Sequence, residues 1–171
     1  FVLADEYLRR NRRAAAPAAT VDVSTAPGAA PVFPVSRTLP RFNDFNVANR
    51  FTSASSAIIY RDELLGPDFV GNSFVCESVH NLVHRETVRP EGVTFTSRRP
   101  DDETRSEFLA SSDNWFRPVM VRTGPDGALW IADMYRAVIE HTEYIPTGMH
   151  DQLNIRGGAD MGRIYRVYPV G

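Results

Sequence analysis

An all-β fold assembled from short antiparallel strands is what this sequence predicts, on three observations. Residues 121–133, VRTGPDGALWIAD, set a Gly-Pro-Asp-Gly turn between two β-branched and aromatic runs, which is the grammar of a hairpin. Residues 162–167, GRIYRV, repeat that pattern after a long excursion and supply a third strand. With 12 Pro and 11 Gly in 171 residues the chain is punctuated too often for long helices, while 43% hydrophobic residues suffice for the core of one domain. Strands that return in this way are patterned like blades of a β-propeller, a ring that gathers its functional residues on one face.

Taken in order, residues 1–13 (FVLADEYLRRNRR) have amphipathic helical character, and residues 14–34 are rich in Ala, Pro, Thr and Gly without periodicity. Residues 1–34 thus read as a helical segment plus a linker or surface loop, and residues 35–171 as two blades. Strand patterns at 56–60, 72–76, 82–88 and 93–96 make the first four-stranded unit. Acidic residues open the run DDETRSEFLA at 101–110 and an apolar pair closes it, which predicts a short crossover helix. The second unit takes strands at 118–123, 128–133 and 162–167. Between the last two, residues 134–161 are too long for a hairpin loop, and a helix is expected near 137–142.

Charge and composition exclude several function classes. The formal net charge is −2, and the one basic block is Arg9, Arg10, Arg12 and Arg13, so nucleic acid is not an expected partner. All 19 basic residues are arginine, which removes Schiff-base and other lysine chemistry from this chain. Cys76, the single cysteine, has no partner for an internal disulfide and reads either as a small buried residue or as a reactive thiol. No CxxCH haem-attachment motif is present, and no apolar run approaches the ~20 residues of a membrane span. The absence of an initiator methionine or a signal peptide leads us to expect a piece of a longer protein.

Strand order locates the candidate site. In an antiparallel blade the entry to the first strand and the loop between the second and third lie at one end. That end gathers residues 52–55, 77–81, 112–117 and 133–136, with His80, Asn81, Asp113, Asn114, Arg117, Asp133, Tyr135 and Arg136 among them. The opposite end receives residues 61–71 and the turn at 124–127, whose composition a tight turn explains by itself. Each candidate keeps a plainer alternative. His80 is either a base or ligand or a loop cap bonded to the backbone. Arg117 either reaches toward a ligand at the ring axis or pairs with Asp113 or Asp133. Trp115 and Trp130 either pack between blades or stack on a cofactor, and Arg136 with Glu140 fits a helical surface pair. His80 and His84 would stand about 13 Å apart along a strand, which argues against a shared zinc.

Three strings carry a family likeness: RFTSASSAIIYRDELLGPDFVGNSFVCESVHNLVHRETV, FLASSDNWFRPVMVRTGPDGALWIADMYRAVIEH and GRIYRVYPVG. Together, over residues 35–171, they resemble the membrane-bound dehydrogenase propeller of large haem-binding proteins, in which helical repeats and a CxxCH cytochrome c domain follow. More distantly they are similar to the last blades of the soluble quinoprotein glucose and sorbosone dehydrogenases, six-bladed propellers. The resemblance implies that the chain is the C-terminal part of that propeller, two blades with the remnant of a preceding one in residues 1–34, in an extracytoplasmic, periplasmic or membrane-associated oxidoreductase acting on a sugar or related alcohol or aldehyde. It also implies pyrroloquinoline quinone (PQQ) as a cofactor, and as partners the missing blades and a haem c domain outside this chain. By the same likeness His80 and Arg117 would hold quinone or substrate oxygens, with Asn81, Asn114 and Tyr135 completing a polar rim. Histidine stands at 80 where that family often has lysine, and Trp115 stands where it has the first of two arginines. The family's general base and calcium ligands belong to earlier blades. The alternative function is a non-catalytic propeller that binds a glycan or a protein partner through the same face.

Overall fold

The computed structural model describes residues 30–37 and 48–170. The expected amphipathic segment 1–13 and most of the linker 14–34 lie outside the described residues. Within them the chain is mainly antiparallel sheet with a few short helical turns. The first sheet runs β1 (Ala54–Ile59), β2 (Ser73–Glu77), β3 (Leu82–Glu91) and β4 (Thr94–Arg98), each strand beside the next, and β5 (Leu109–Ala110) also pairs with β3. The second is β6 (Pro118–Thr123), β7 (Leu129–Asp133) and β8 (Arg163–Val167), again in chain order. The two sheets meet where β1 lies beside β6 and do not close into a ring.

Alternation explains the strands. On β2, Phe74 and Cys76 are buried between the half-buried Ser73 and Val75; on β7, Leu129 and Ile131 are buried on either side of the exposed Trp130. Strand β3 extends further than its sequence pattern because its two halves serve different partners. The outer half, from Thr87 to Glu91, pairs with β4, and Leu82 and Val83 at the inner end pair with β5. A two-residue strand such as β5 has no periodicity to read.

Both expected helices are reduced to shorter turns or displaced, each for a local reason. The run 101–110 contains only a 3-10 turn, Asp101–Glu103, and then β5. In an α-helix Glu103 and Glu107 would share a face. Here Glu103 pairs with Arg85 and Glu107 with His84, neighbouring residues of β3 whose side chains leave opposite faces of the sheet. Near 137–142 the carbonyls of Arg136 and Ala137 accept from the Arg117 guanidinium, so they are not free to start a helix. A 3-10 turn at Thr142–Tyr144 and one α-helical turn at Thr147–His150 appear instead. The expected Arg136–Glu140 surface pair gives way with the helix, and Arg136 donates to the carbonyls of Met134, Tyr135, Gly158 and Ala159.

The core lies between the sheets, where Phe74, Cys76 and Val83 meet Val121, Leu129 and Ile131. Burying each of the larger side chains contributes roughly 1.5–3 kcal/mol before conformational entropy is subtracted. Polar ties cross the same interface. Ser56 Oγ accepts from Val121 N–H at 2.9 Å, and Tyr60 Oη donates to Gly127 O at 2.8 Å. Gly127 has φ +79°, as its turn requires, and a Cβ there would meet the Asp62 carboxylate.

The outward faces differ. On the first sheet, residues 30–35 and 48–51 pack over β2 and β3; Val32 is buried, and Val32 N–H donates to Asn49 O. On the second sheet Met120, Trp130 and Ile164 face outward, the last 70% exposed. Trp130 therefore does not pack between the sheets, and its indole N–H donates to Asp126 at 3.0 Å.

Candidate functional site

The loop end anticipated from strand order does assemble. Glu77, at the end of β2, is completely buried and accepts the backbone N–H groups of Thr52 and Ser53 through one carboxylate oxygen and that of Val79 through the other. The entry to β1 and the β2–β3 turn are thereby fixed to one carboxylate. Arg117, 6% exposed, joins this group to the second sheet. Its Nη1 donates to Ser78 O at 3.0 Å and Val79 O at 3.3 Å, Nε to Arg136 O at 2.9 Å, and Nη2 to Ala137 O at 3.0 Å. Four carbonyls from two loops converge on one guanidinium, a use of its planar fork that lysine could not copy.

The other proposed residues divide between interior and rim. Asn49 N–H donates to His80 Nε2 at 2.9 Å, a bond that requires the imidazole proton on Nδ1, which faces Glu77 at 3.5 Å. His80 is thus a loop anchor, oriented like a base but with its acceptor nitrogen already engaged. Asn81 is fully buried with φ +60°, and its Nδ2 donates to Phe116 O at 2.5 Å and Asn114 O at 3.1 Å. Its Oδ1 is buried with no hydrogen-bond partner. At the rim, Asn114 Nδ2 donates to Arg37 O. Tyr135, another residue with positive φ at +49°, lies under the Arg163 guanidinium at 3.9 Å and beside Trp115 at 5.7 Å between ring centroids. Partial loss of solvent, followed by the charge of nearby Asp113, raises the Tyr135 phenol above its ordinary value.

Arg163 is the functional candidate the sequence reading missed. Its Nε and Nη2 donate to the buried Asp133 Oδ2 at 3.1 and 2.9 Å, and Asp113 stands 3.9 Å from Nη2. The available signal was its place at the start of β8, level with Asp133 at the end of β7. Asp133 Oδ1 completes the arrangement by accepting the N–H groups of Arg117 and Tyr135. The Asp133 interaction expected as one alternative for Arg117 is thus made by its backbone, and the side-chain ion pair belongs to Arg163. Asp113, Trp115, Tyr135 and Arg163 are each partly exposed. They offer solvent a carboxylate, a guanidinium and two rings. Cys76 is no part of this end. Burial pushes its thiol up to about 12, which leaves it unreactive at neutral pH.

A quinone at this end can be tested against these contacts. The nitrogens of Arg117 and the acceptor nitrogen of His80 already bond to protein groups, so neither residue presents itself to a quinone oxygen. The residues proposed to hold it do not fit that role.

No curated protein and no solved structure matches this chain. A family profile described as "Domain of unknown function (DUF7133)" matches residues 1–171, the whole sequence, and on that match the chain belongs to the DUF7133 family.

Proposed function

We propose that the chain supplies two neighbouring blades of a β-propeller, six-bladed when whole, in an extracytoplasmic oxidoreductase that is periplasmic or membrane-associated. Its substrate is a sugar or related alcohol or aldehyde, and electrons pass to a haem c domain in another part of the protein. The observation that carries this reading is the placement of the first strand of each sheet, β1 and β6, side by side, with the loops of both sheets gathered at one end. The likeness of the three strings to dehydrogenase propellers supplies the chemistry, and with it PQQ as the cofactor. Since His80 and Arg117 are engaged within the protein, quinone contacts fall to blades outside this chain. These two blades contribute the polar rim of Asp113, Asn114, Tyr135 and Arg163.

The half-exposed Trp115–Tyr135 pair with flanking Asp113 and Arg163 also favours a second reading, a non-catalytic propeller that binds a glycan or protein partner there. The deciding experiment is reduction of an artificial electron acceptor by the full-length protein, with and without added PQQ, across a panel of sugars and alcohols. Substrate-dependent acceptor reduction that requires PQQ is the expected result. Glycan or protein binding without turnover under any of these conditions would overturn the oxidoreductase in favour of the binding module.

A further inference from the structure

We propose that residues 30–35 and 49–51 form a pH-sensitive strap over the outer face of the first sheet, latched by the protonated form of His84. The cluster beneath it is built around that imidazole, which is 4% exposed. Its Nδ1 lies 2.7 Å from Glu107 Oε2 and its Nε2 lies 3.2 Å from Glu86 Oε1. Two carboxylates, one on each nitrogen, can both accept only if both nitrogens carry protons, so the geometry is that of the imidazolium. Charge gives the same answer. The groups around the ring are Glu86 on its own strand and Glu107 before β5, with Arg99 beyond β4. Further off, Glu103 feels its charge, and the strap faces it with the Phe51 ring at 5.1 Å. Glu86, Glu107, Arg99 and cationic His84 sum to zero, while neutral His84 leaves an uncompensated negative charge inside the sheet face.

The strap hangs on the same carboxylate. Glu107 Oε1 accepts the Phe33 N–H at 2.9 Å and Arg99 Nη2 at 2.7 Å. Arg99 Nη2 in turn donates to Pro31 O at 2.7 Å, and its guanidinium lies 4.7 Å from the Phe33 ring centre. The two halves of the strap are tied by Val32 N–H to Asn49 O and Phe51 N–H to Ala30 O. Between the strap and the segment 105–110, which ends in β5, lies a groove of about 650 Å³, bordered by Pro31, Phe33, Asn49, Arg105, Glu107 and Ala110.

The pH window follows from signs alone. Burial works to lower the His84 pKa, but its bonds to Glu107 and Glu86 outweigh that and leave it raised above its ordinary value. A raised histidine contributes latch stability that is complete below its unfolded-state value and is lost as pH rises through its folded value. Glu107 and Glu86 are lowered, burial being overcome by their bonds to His84, so their contribution is lost only as pH falls through the lowered carboxylate values. The strap is therefore held between the lowered carboxylate values and the raised histidine value, and loosens as pH rises through the latter.

Amide hydrogen exchange on the full chain from about pH 6 to about pH 10, corrected for intrinsic rates, tests this. Protection at Val32, Phe33 and Phe51 is expected to fall roughly tenfold or more as His84 loses its proton, while Ile131 on β7 keeps its protection. The His84→Gln variant should begin with the lower protection and lack the pH-dependent fall. In Glu86→Gln, which leaves every strap contact in place, the fall should move to lower pH. Flat protection in the wild type would overturn the latch, as would a fall shared equally by Ile131. If His84→Gln does not fold, an unchanged midpoint in Glu86→Gln is decisive against it.

Discussion

The two sheets have similar hydrogen-bonded frames and treat their outer faces in opposite ways. The first covers its outer face with a strap and buries polar side chains on that face, with Glu77, His84 and Glu107 all at most 5% exposed. The second leaves Met120, Trp130 and Ile164 open to solvent and keeps its buried charge, Asp133, at the loop end. The difference teaches what specifies each sheet. Alternation of apolar and polar residues is enough for the second, whereas the first depends on pairing charges that would each be costly to bury alone. The joint between them draws on both devices, an apolar core and the Arg117 fork.

Breaking the joint should give the largest effect. Arg117→Ala removes donors from four carbonyls in a region 6% exposed, and we expect it to destabilise the full chain by about 4 kcal/mol in urea unfolding. Arg117→Lys should recover less than half of that loss, because an ammonium cannot reach both loops. A loss under about 1 kcal/mol for Arg117→Ala would mean the apolar core alone joins the sheets. At the opposite end of the interface, Gly127→Val should cost about 2 kcal/mol through its positive φ and the crowding of Asp62. Measured beside it, the binding of any ligand at the loop end should stay as in the wild type; lost affinity at unchanged stability would put the site at the other end. Smallest of all is the expected effect of Ile164→Thr on the open face, within about 0.5 kcal/mol, with less light scattering on storage. A penalty near 2 kcal/mol in the full-length protein would show that another element covers this face there.

The strands were legible because the rule they follow is local. Residues 118–123 coincide with β6, and the pattern at 82–88 needed only the outer pairing with β4 to become β3. The helices were misread where a distant side chain decided the matter. Nothing within 101–110 reveals that Glu103 and Glu107 are drawn to opposite faces of β3, and nothing within 137–142 reveals that Arg117 takes the carbonyls of Arg136 and Ala137 at its start. The site was legible to the same depth. Strand order groups His80, Asn81, Asn114, Arg117 and Tyr135 at one end. Whether a side chain faced a ligand or a carbonyl forty residues away was not encoded nearby. His84, weighed only as a metal ligand, owes its setting to Glu107 across 23 residues of sequence.

The bonds that cross between the sheets have an asymmetry with a consequence for sequence variation. Arg117, Asn81, Ser78 and Tyr60 donate across to the backbone oxygens of Ser78, Val79, Asn114, Phe116, Pro118 and Gly127, and Ser56 Oγ is the exception that accepts, from Val121 N–H and the Arg122 guanidinium. Every residue type carries a carbonyl. The receiving loops can therefore exchange many of their side chains for others without loosening the joint, provided the backbone path is kept. Each donor tolerates almost no replacement, and Asn81 least, since its left-handed backbone admits glycine in shape but glycine brings no amide to donate. The loop end can thus acquire a new rim chemistry while four fixed donors preserve the architecture that presents it.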